Sequence, residues 1–140
     1  MPSFSPTSLK HLETLDLRLK LILNEAIKTI DFKILEGHRN EADQEAAVAR
    51  KASKVHWPDG KHNSLPSKAV DVAPGYFDRG FKIDFNDLPA FGRLIGHLER
   101  IAIYKGIKTR PGMDWDMDWR SEHRPGESGF FDGPHLEVVD

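Results

Sequence analysis

Two polar stretches far apart in the chain constrain the fold more than any other feature. The first is Lys61-His62-Asn63-Ser64-Leu65-Pro66-Ser67-Lys68-Ala69-Val70-Asp71-Val72, and the second is Phe131-Asp132-Gly133-Pro134-His135-Leu136-Glu137. Together they offer two imidazoles, each with carboxylates at definite offsets, beside Ser, Pro and Gly residues that suit irregular backbone. A catalytic zinc site takes about three protein ligands from His, Asp or Glu and leaves a further position for water. His62, Asp71 and His135 supply that set if the fold brings the stretches together, and Asp132 is then left over as a base. The chain has no cysteine, so disulfides, thiolate metal sites and cysteine nucleophiles are excluded. Any metal must be held by imidazole and carboxylate.

The rest of the chain reads as scaffold. Its 140 residues are the usual size of one domain, and residues 1–140 are taken as a single catalytic domain. Ser5-Pro6 has the form of an N-cap followed by proline at the first helical position. Leu9, Leu12, Leu15, Leu19, Ile22, Leu23, Ala26, Ile27 and Ile30 recur at helical spacing, which predicts one long amphipathic helix over residues 6–29. Phe32-Lys33-Ile34-Leu35 predicts a short strand. Asn40 then caps a second helix, with Ala42, Ala46 and Ala49 on one face and Asp43 near its positive end. Residues 51–67 read as a long loop, and long ordered loops in compact domains are often functional.

Lys68 to Ala73 resumes a strand, with Ala69 and Asp71 on one face and Val70 and Val72 on the other. An aspartate in an apolar strand needs a partner, because an unpaired buried carboxylate is costly. Asn86-Asp87 opens a third helix, whose apolar stripe runs Leu88, Phe91, Leu94, Ile95, Leu98, Ile101 and Ala102, with Gly106 as its C-terminal cap. Ile107-Lys108-Thr109 and the final His135 to Val139 predict two more strands. Helices and short strands alternate without a regular βαβ rhythm, so an α+β fold is expected, with a small antiparallel sheet and flanking helices.

Several features have a plain reading. His11 and His97 sit in helices beside charged residues and read as solvated; His38, His56 and His123 have no partner pattern. Arg39 lies at a strand-to-helix junction, where it either points into a cleft or makes an ordinary surface ion pair. Asp114, Asp116 and Asp118 alternate as calcium ligands do. The EF-hand pattern fails, however, since glycine is missing at its sixth position and Pro125 stands at its twelfth. A hydrogen-bonded loop beside the site, with Trp115 and Trp119 packing or meeting substrate, is the preferred reading, and a regulatory Ca2+ the minor one. The formal charge of −2 sets up no polyanion-binding field, so no nucleic-acid partner is expected. No stretch is long and apolar enough to span a membrane, and the N-terminus lacks the basic and apolar regions of a signal peptide.

These pieces, taken in order, resemble a family: the zinc D-Ala-D-Ala carboxypeptidases and dipeptidases, and the L-alanyl-D-glutamate endopeptidases that serve as bacteriophage endolysins. The likeness is to the phage branch. It is carried by Glu36-Gly37-His38-Arg39 with Gln44, by His62-Asn63 with Pro66 to Asp71, by Gly112-Met113-Asp114-Trp115, and by Asp132-Gly133-Pro134-His135-Leu136-Glu137. It implies a Hedgehog/DD-peptidase-like zinc peptidase fold, with Zn2+ held by His62, Asp71 and His135. It also implies that Asp132 is the catalytic carboxylate and that Arg39 polarises the scissile carbonyl. Glu137, on the same strand face as His135, would orient that ligand.

The implied substrate is the stem peptide of bacterial peptidoglycan, cut between L-Ala and D-Glu by a monomer made in the host cytoplasm and released to the wall. Rival readings are D-Ala-D-Ala dipeptidase or carboxypeptidase activity, and a zinc-bearing wall-binding module without catalysis. A His-Asn nuclease built on His62-Asn63 is disfavoured by the missing second metal-binding element and the negative charge. Gly60, Met113 and Leu136 depart from the residues usual at those positions, and they bear on the substrate groove more than on the reaction.

Overall fold

The computed structural model describes residues 2–121 and 130–140. Its elements run α1 (Pro6–Glu13), α2 (Leu17–Ala26), β1 (Phe32–Glu36), α3 (Glu41–Ala49), β2 (Ala69–Pro74), α4 (Leu88–Tyr104), β3 (Thr109–Pro111) and β4 (His135–Val138), with a single 3₁₀ turn at Phe77–Arg79. The strands form one antiparallel sheet in the order β1-β2-β4-β3. The expected α+β class with a small antiparallel sheet is what folds.

The sheet has two chemically distinct faces. Ile34, Val70, Val72, Leu136 and Val138 join Leu19, Ile22, Leu23, Leu94, Ile95, Leu98 and Ala102 in one apolar core, so α2 and α4 cover that face. Asp71, His135 and Glu137 alternate with these positions and point to the other side, as a two-residue period requires. Glu36, Asp71 and His135 stand opposite one another in a row across β1, β2 and β4. A bulge between Ile34 and Glu36 brings Glu36 into that row.

The expected long N-terminal helix is two helices. Asp16 caps α2 by accepting from the Arg18 backbone N–H at 2.9 Å. The chain between the helices is extended: Asp16 N–H donates to the Ser67 carbonyl at 2.8 Å, and Ser67 N–H donates to the Thr14 carbonyl at 2.7 Å. The apolar stripe continues across the break. Leu15, Leu19, Ile22, Leu23 and Ala26 are buried, whereas Leu9 is exposed. The hydrophobic period therefore records the face and not the interruption.

Three smaller expectations shift. In α3 the buried residues are Gln44 and Ala47, not the Ala42, Ala46 and Ala49 face, because a polar network rather than an apolar layer covers that helix. The strand expected at residues 107–109 lies at Thr109–Pro111. Arg110 and Pro111 therefore lie inside the sheet. His123 and Pro125 lie outside the described residues. The α4 ending follows expectation: Gly106 has φ +68°, Ile107 N–H donates to the Ala102 carbonyl and Gly106 N–H to the Ile103 carbonyl, which is the Schellman arrangement. Met113 packs against the core and Leu136 is fully buried within it. No helix among the described residues is long and apolar enough to cross a membrane.

Asp16→Ala removes the α2 cap and should lower stability by about 1 kcal/mol. Urea unfolding of the two proteins measures this, with an unchanged denaturant slope expected.

Candidate metal centre

His62, Asp71 and His135 converge on the polar face of the sheet. Asp71 Oδ1 lies 3.3 Å from His62 Nε2 and 3.4 Å from His135 Nδ1. All three donor atoms fall within 4.8 Å of one another. Nitrogen and oxygen ligands at about 2.0–2.2 Å around a tetrahedral ion would stand about 3.3–3.6 Å apart, so the spacing suits a shared metal. Burial supplies a second fit: His62 Nε2 and Asp71 Oδ1 are both buried and neither makes a hydrogen bond. Two buried polar atoms left facing each other are costly unless something else satisfies them.

Each imidazole is aimed by its other nitrogen. His62 Nδ1 sits 2.7 Å from the Gly37 carbonyl, so it donates there and turns Nε2 inward. His135 Nε2 lies 2.9 Å from Glu137 Oε1, which turns Nδ1 inward. Such outer partners set the tautomer and orientation of a metal-binding histidine. The expected role of Glu137 therefore has its geometry.

Asp132 stands at the edge of the cluster, its Oδ2 3.9 Å from His135 Nδ1. A tight turn puts it there: His135 N–H donates to the Asp132 carbonyl, Asp132 N–H to the Gly112 carbonyl, and Gly112 N–H to the His135 carbonyl. Glycine is required at this crossing, since a Cβ on residue 112 would stand 2.4 Å from the Asp132 carbonyl oxygen and 2.9 Å from His135 Cβ.

Arg39 is buried rather than at the surface, at 5% exposure. Its Nη2 donates to Asp71 Oδ2 at 3.1 Å, and its Nε faces Glu36 Oε2 at 2.8 Å. It thus grips the carboxylate oxygen that does not face the imidazoles. Gln44 and Asn63, which stand in the motifs that carry the family resemblance, back it. Gln44 Oε1 accepts from Asn63 Nδ2 at 2.9 Å and from Arg39 Nη1 at 3.4 Å, while Gln44 Nε2 donates to the Val55 carbonyl and to Ser53 Oγ. Asn63 Oδ1 accepts from Gly60 N–H at 2.8 Å. A Cβ at residue 60 would stand 2.6 Å from that oxygen, which explains glycine there. A glutamine one turn into α3 was the available signal for this network.

The charges follow from burial and proximity. Burial penalises the Asp71 carboxylate, but the two imidazoles beside it hold it well below the usual carboxylate range. Burial and the Asp71 charge push Asp132 up to about 6. Burial opposes a charge on His135, yet Asp71 and Glu137 raise it to about 9. Like-charged carboxylates with separated proton affinities are the arrangement acid–base chemistry needs.

The remaining candidates lie apart. His11 and His97 are not in the cluster, His38 Nδ1 meets the Ser64 carbonyl, and His56 pairs with Glu45. Asp114, Asp116 and Asp118 also approach within 4.8 Å. Asp114 accepts from the Asp118 and Trp119 backbone N–H groups, and Asp116 accepts from Asp118 N–H. They form a hydrogen-bonded loop, as the sequence leads one to expect. Trp115 packs against the His135 ring with centroids 5.2 Å apart, whereas Trp119 is exposed.

Known proteins share this architecture. Residues 2–139 match the family described as phage L-alanyl-D-glutamate peptidase. The chain is 33% identical over 138 residues to the L-alanyl-D-glutamate peptidase of Escherichia phage T5, covering 97% of each. Its fold superposes on the crystal structure of the Serratia marcescens L-Ala D-Glu endopeptidase ChiX with a TM-score of 0.72. That match covers 99% of this chain and 91% of the other, at 20% identity.

With a chelator present, the His135 proton should stabilise the folded state. Its folded value, about 9, exceeds the ordinary 6.5. The contribution is therefore complete below about pH 6.5 and is lost as pH rises through about 9. The unfolding midpoint should fall between pH 7 and pH 9.5, and His135→Gln should flatten that decline.

Proposed function

The chain belongs to the phage L-alanyl-D-glutamate peptidase family, and on that premise we propose that it hydrolyses the L-Ala–D-Glu bond of the peptidoglycan stem peptide with one zinc ion. His62, Asp71 and His135 would hold the ion. The observation carrying this is the convergence of their three donor atoms, two of them buried without a hydrogen bond. A cluster of two imidazoles and one carboxylate, with no thiolate in the chain, suits zinc in a hydrolytic site. The chemistry a zinc ion supplies in such a set is Lewis acidity toward a carbonyl oxygen and a pKa of about 7 for water.

The protein's own groups account for the remaining steps. Asp132, beside the cluster and not part of it, takes a proton from the attacking water and returns it to the leaving amine. Its raised proton affinity suits both halves of that exchange. Arg39 holds Asp71 by its outer oxygen and brings a fixed positive charge to the site, where charge develops on the scissile carbonyl oxygen. Glu36 and Gln44 keep that guanidinium from turning away. Gly37 and Glu137 hold the two imidazoles in the tautomers that leave the inward nitrogens unprotonated. The exposed end of the site, at Asp132, adjoins a cleft of about 430 Å³ lined by Phe85, Leu88, Phe91, Phe131 and Pro134, which gives a peptide a place to lie.

Purified peptidoglycan digested with the protein should yield new D-Glu amino termini by mass spectrometry, and chelation should stop the reaction. Release of D-Ala instead would support the carboxypeptidase reading. Asp132→Ala should keep its zinc content and melting temperature but lose at least about 100-fold in rate. A variant that cleaves as fast as the parent would remove Asp132 from the mechanism.

A further inference from the structure

We propose that Arg110 is a positioning residue for the metal centre, fixing His135 from two sides through the Glu137 carboxylate and the Trp115 ring. This rests on the reading of His135 as a metal ligand.

Arg110 lies on β3 directly opposite Glu137 on β4. Its Nη2 donates to Glu137 Oε2 at 2.9 Å, while Glu137 Oε1 receives His135 Nε2 at 2.9 Å. Glu137 is 3% exposed, so both of its oxygens are committed inside the protein. A carboxylate this buried needs a compensating charge. A neutral imidazole engaged through Nδ1 brings none, whereas the guanidinium does. The same guanidinium lies over the Trp115 ring, 5.7 Å from its centroid. Trp115 in turn packs on His135 at 5.2 Å with a 47° tilt, and its indole N–H donates to the Phe130 carbonyl. One cation thus holds both the group that sets the His135 tautomer and the ring that limits its tilt.

Arg110 is partly exposed but Glu137 is buried, so removing the cation should lower the melting curve as well. Zinc affinity, read well below that transition, is what reports the positioning role. Lysine can reach Glu137 with a point charge but lacks the planar fork that both donates and stacks.

The test measures zinc affinity of the full chain by competition with a chromophoric chelator, alongside thermal melts. It uses wild type, Arg110→Ala, Arg110→Lys, Glu137→Gln and the Arg110→Ala/Glu137→Gln double variant. Partners in the outer shell of a metal site are worth roughly 10–100-fold in affinity. Arg110→Ala should weaken zinc binding about tenfold, with Arg110→Lys between it and wild type. Because Glu137→Gln already removes the ion pair and leaves only the Trp115 contact to be lost, the double variant should bind no more than about twofold more weakly than Glu137→Gln alone. Wild-type affinity in Arg110→Ala, or a double variant that loses the product of the two single effects, overturns the proposal. If wild type itself binds no zinc, the metal-centre reading fails first and takes this inference with it. Should Arg110→Ala not fold, Arg110→Met keeps the stem over Trp115 and carries the same comparison.

Discussion

The structure turns on one carboxylate whose inner oxygen is buried. Asp71 sits in the middle of the sheet, on β2, with strands on both sides. A charge there is unfavourable unless its neighbours answer it. They do so from three directions: His62 and His135 face one oxygen, and Arg39 donates to the other. Each of those groups is buried and needs support of its own. The requirement spreads outward to Gly37, Glu137, Glu36, Gln44 and Asn63, and it accounts for most of the polar interior. The apolar face of the same sheet anchors this arrangement, since Val70, Val72 and Leu136 lock β2 and β4 against α2 and α4.

Backbone geometry does much of the positioning. The break between α1 and α2 looks like a minor interruption, yet it is where the loop carrying His62 is pinned. Thr14 and Asp16 pair with Ser67, and the Thr14 hydroxyl accepts from His38 N–H. The closeness of Gly37 to α1 follows, because a Cβ at residue 37 would stand 2.3 Å from Thr14 Oγ1. On the other side Gly112 lets β3 pass close enough for Asp132 and His135 to share one turn. This turn sets Asp132 beside the His62–Asp71–His135 cluster, with its Oδ2 3.9 Å from His135 Nδ1.

The two faces of the sheet also explain how much could be read in advance. Alternation put Asp71 opposite the valines and put Glu137 on the His135 face, and both positions are as the two-residue period requires. The caps at Ser5, Asn40 and Asp87 were legible because they depend on neighbours within one turn. Asp16 is also such a cap, but the apolar stripe running past it masked the signal. The α3 face was misread because alanines at helical spacing resemble a core stripe, whereas the buried position holds Gln44, which serves Arg39 and Asn63. Arg39 was open to two readings for the same reason: its burial depends on Glu36 and Asp71, and Asp71 lies far along the chain.

By itself the sequence determined the kinds of chemistry available: imidazole and carboxylate ligands, no thiolates, and enough patterned apolar residues for one α+β core. Those are properties of side chains and of local periodicity, and they survive without long-range information. Tertiary structure decided which nitrogen of each histidine faces inward, which oxygen of Asp71 Arg39 takes, and how near Asp132 stands. Contacts between residues distant in sequence set these choices, and the energy of a buried charge depends on such distances and on the water excluded around it.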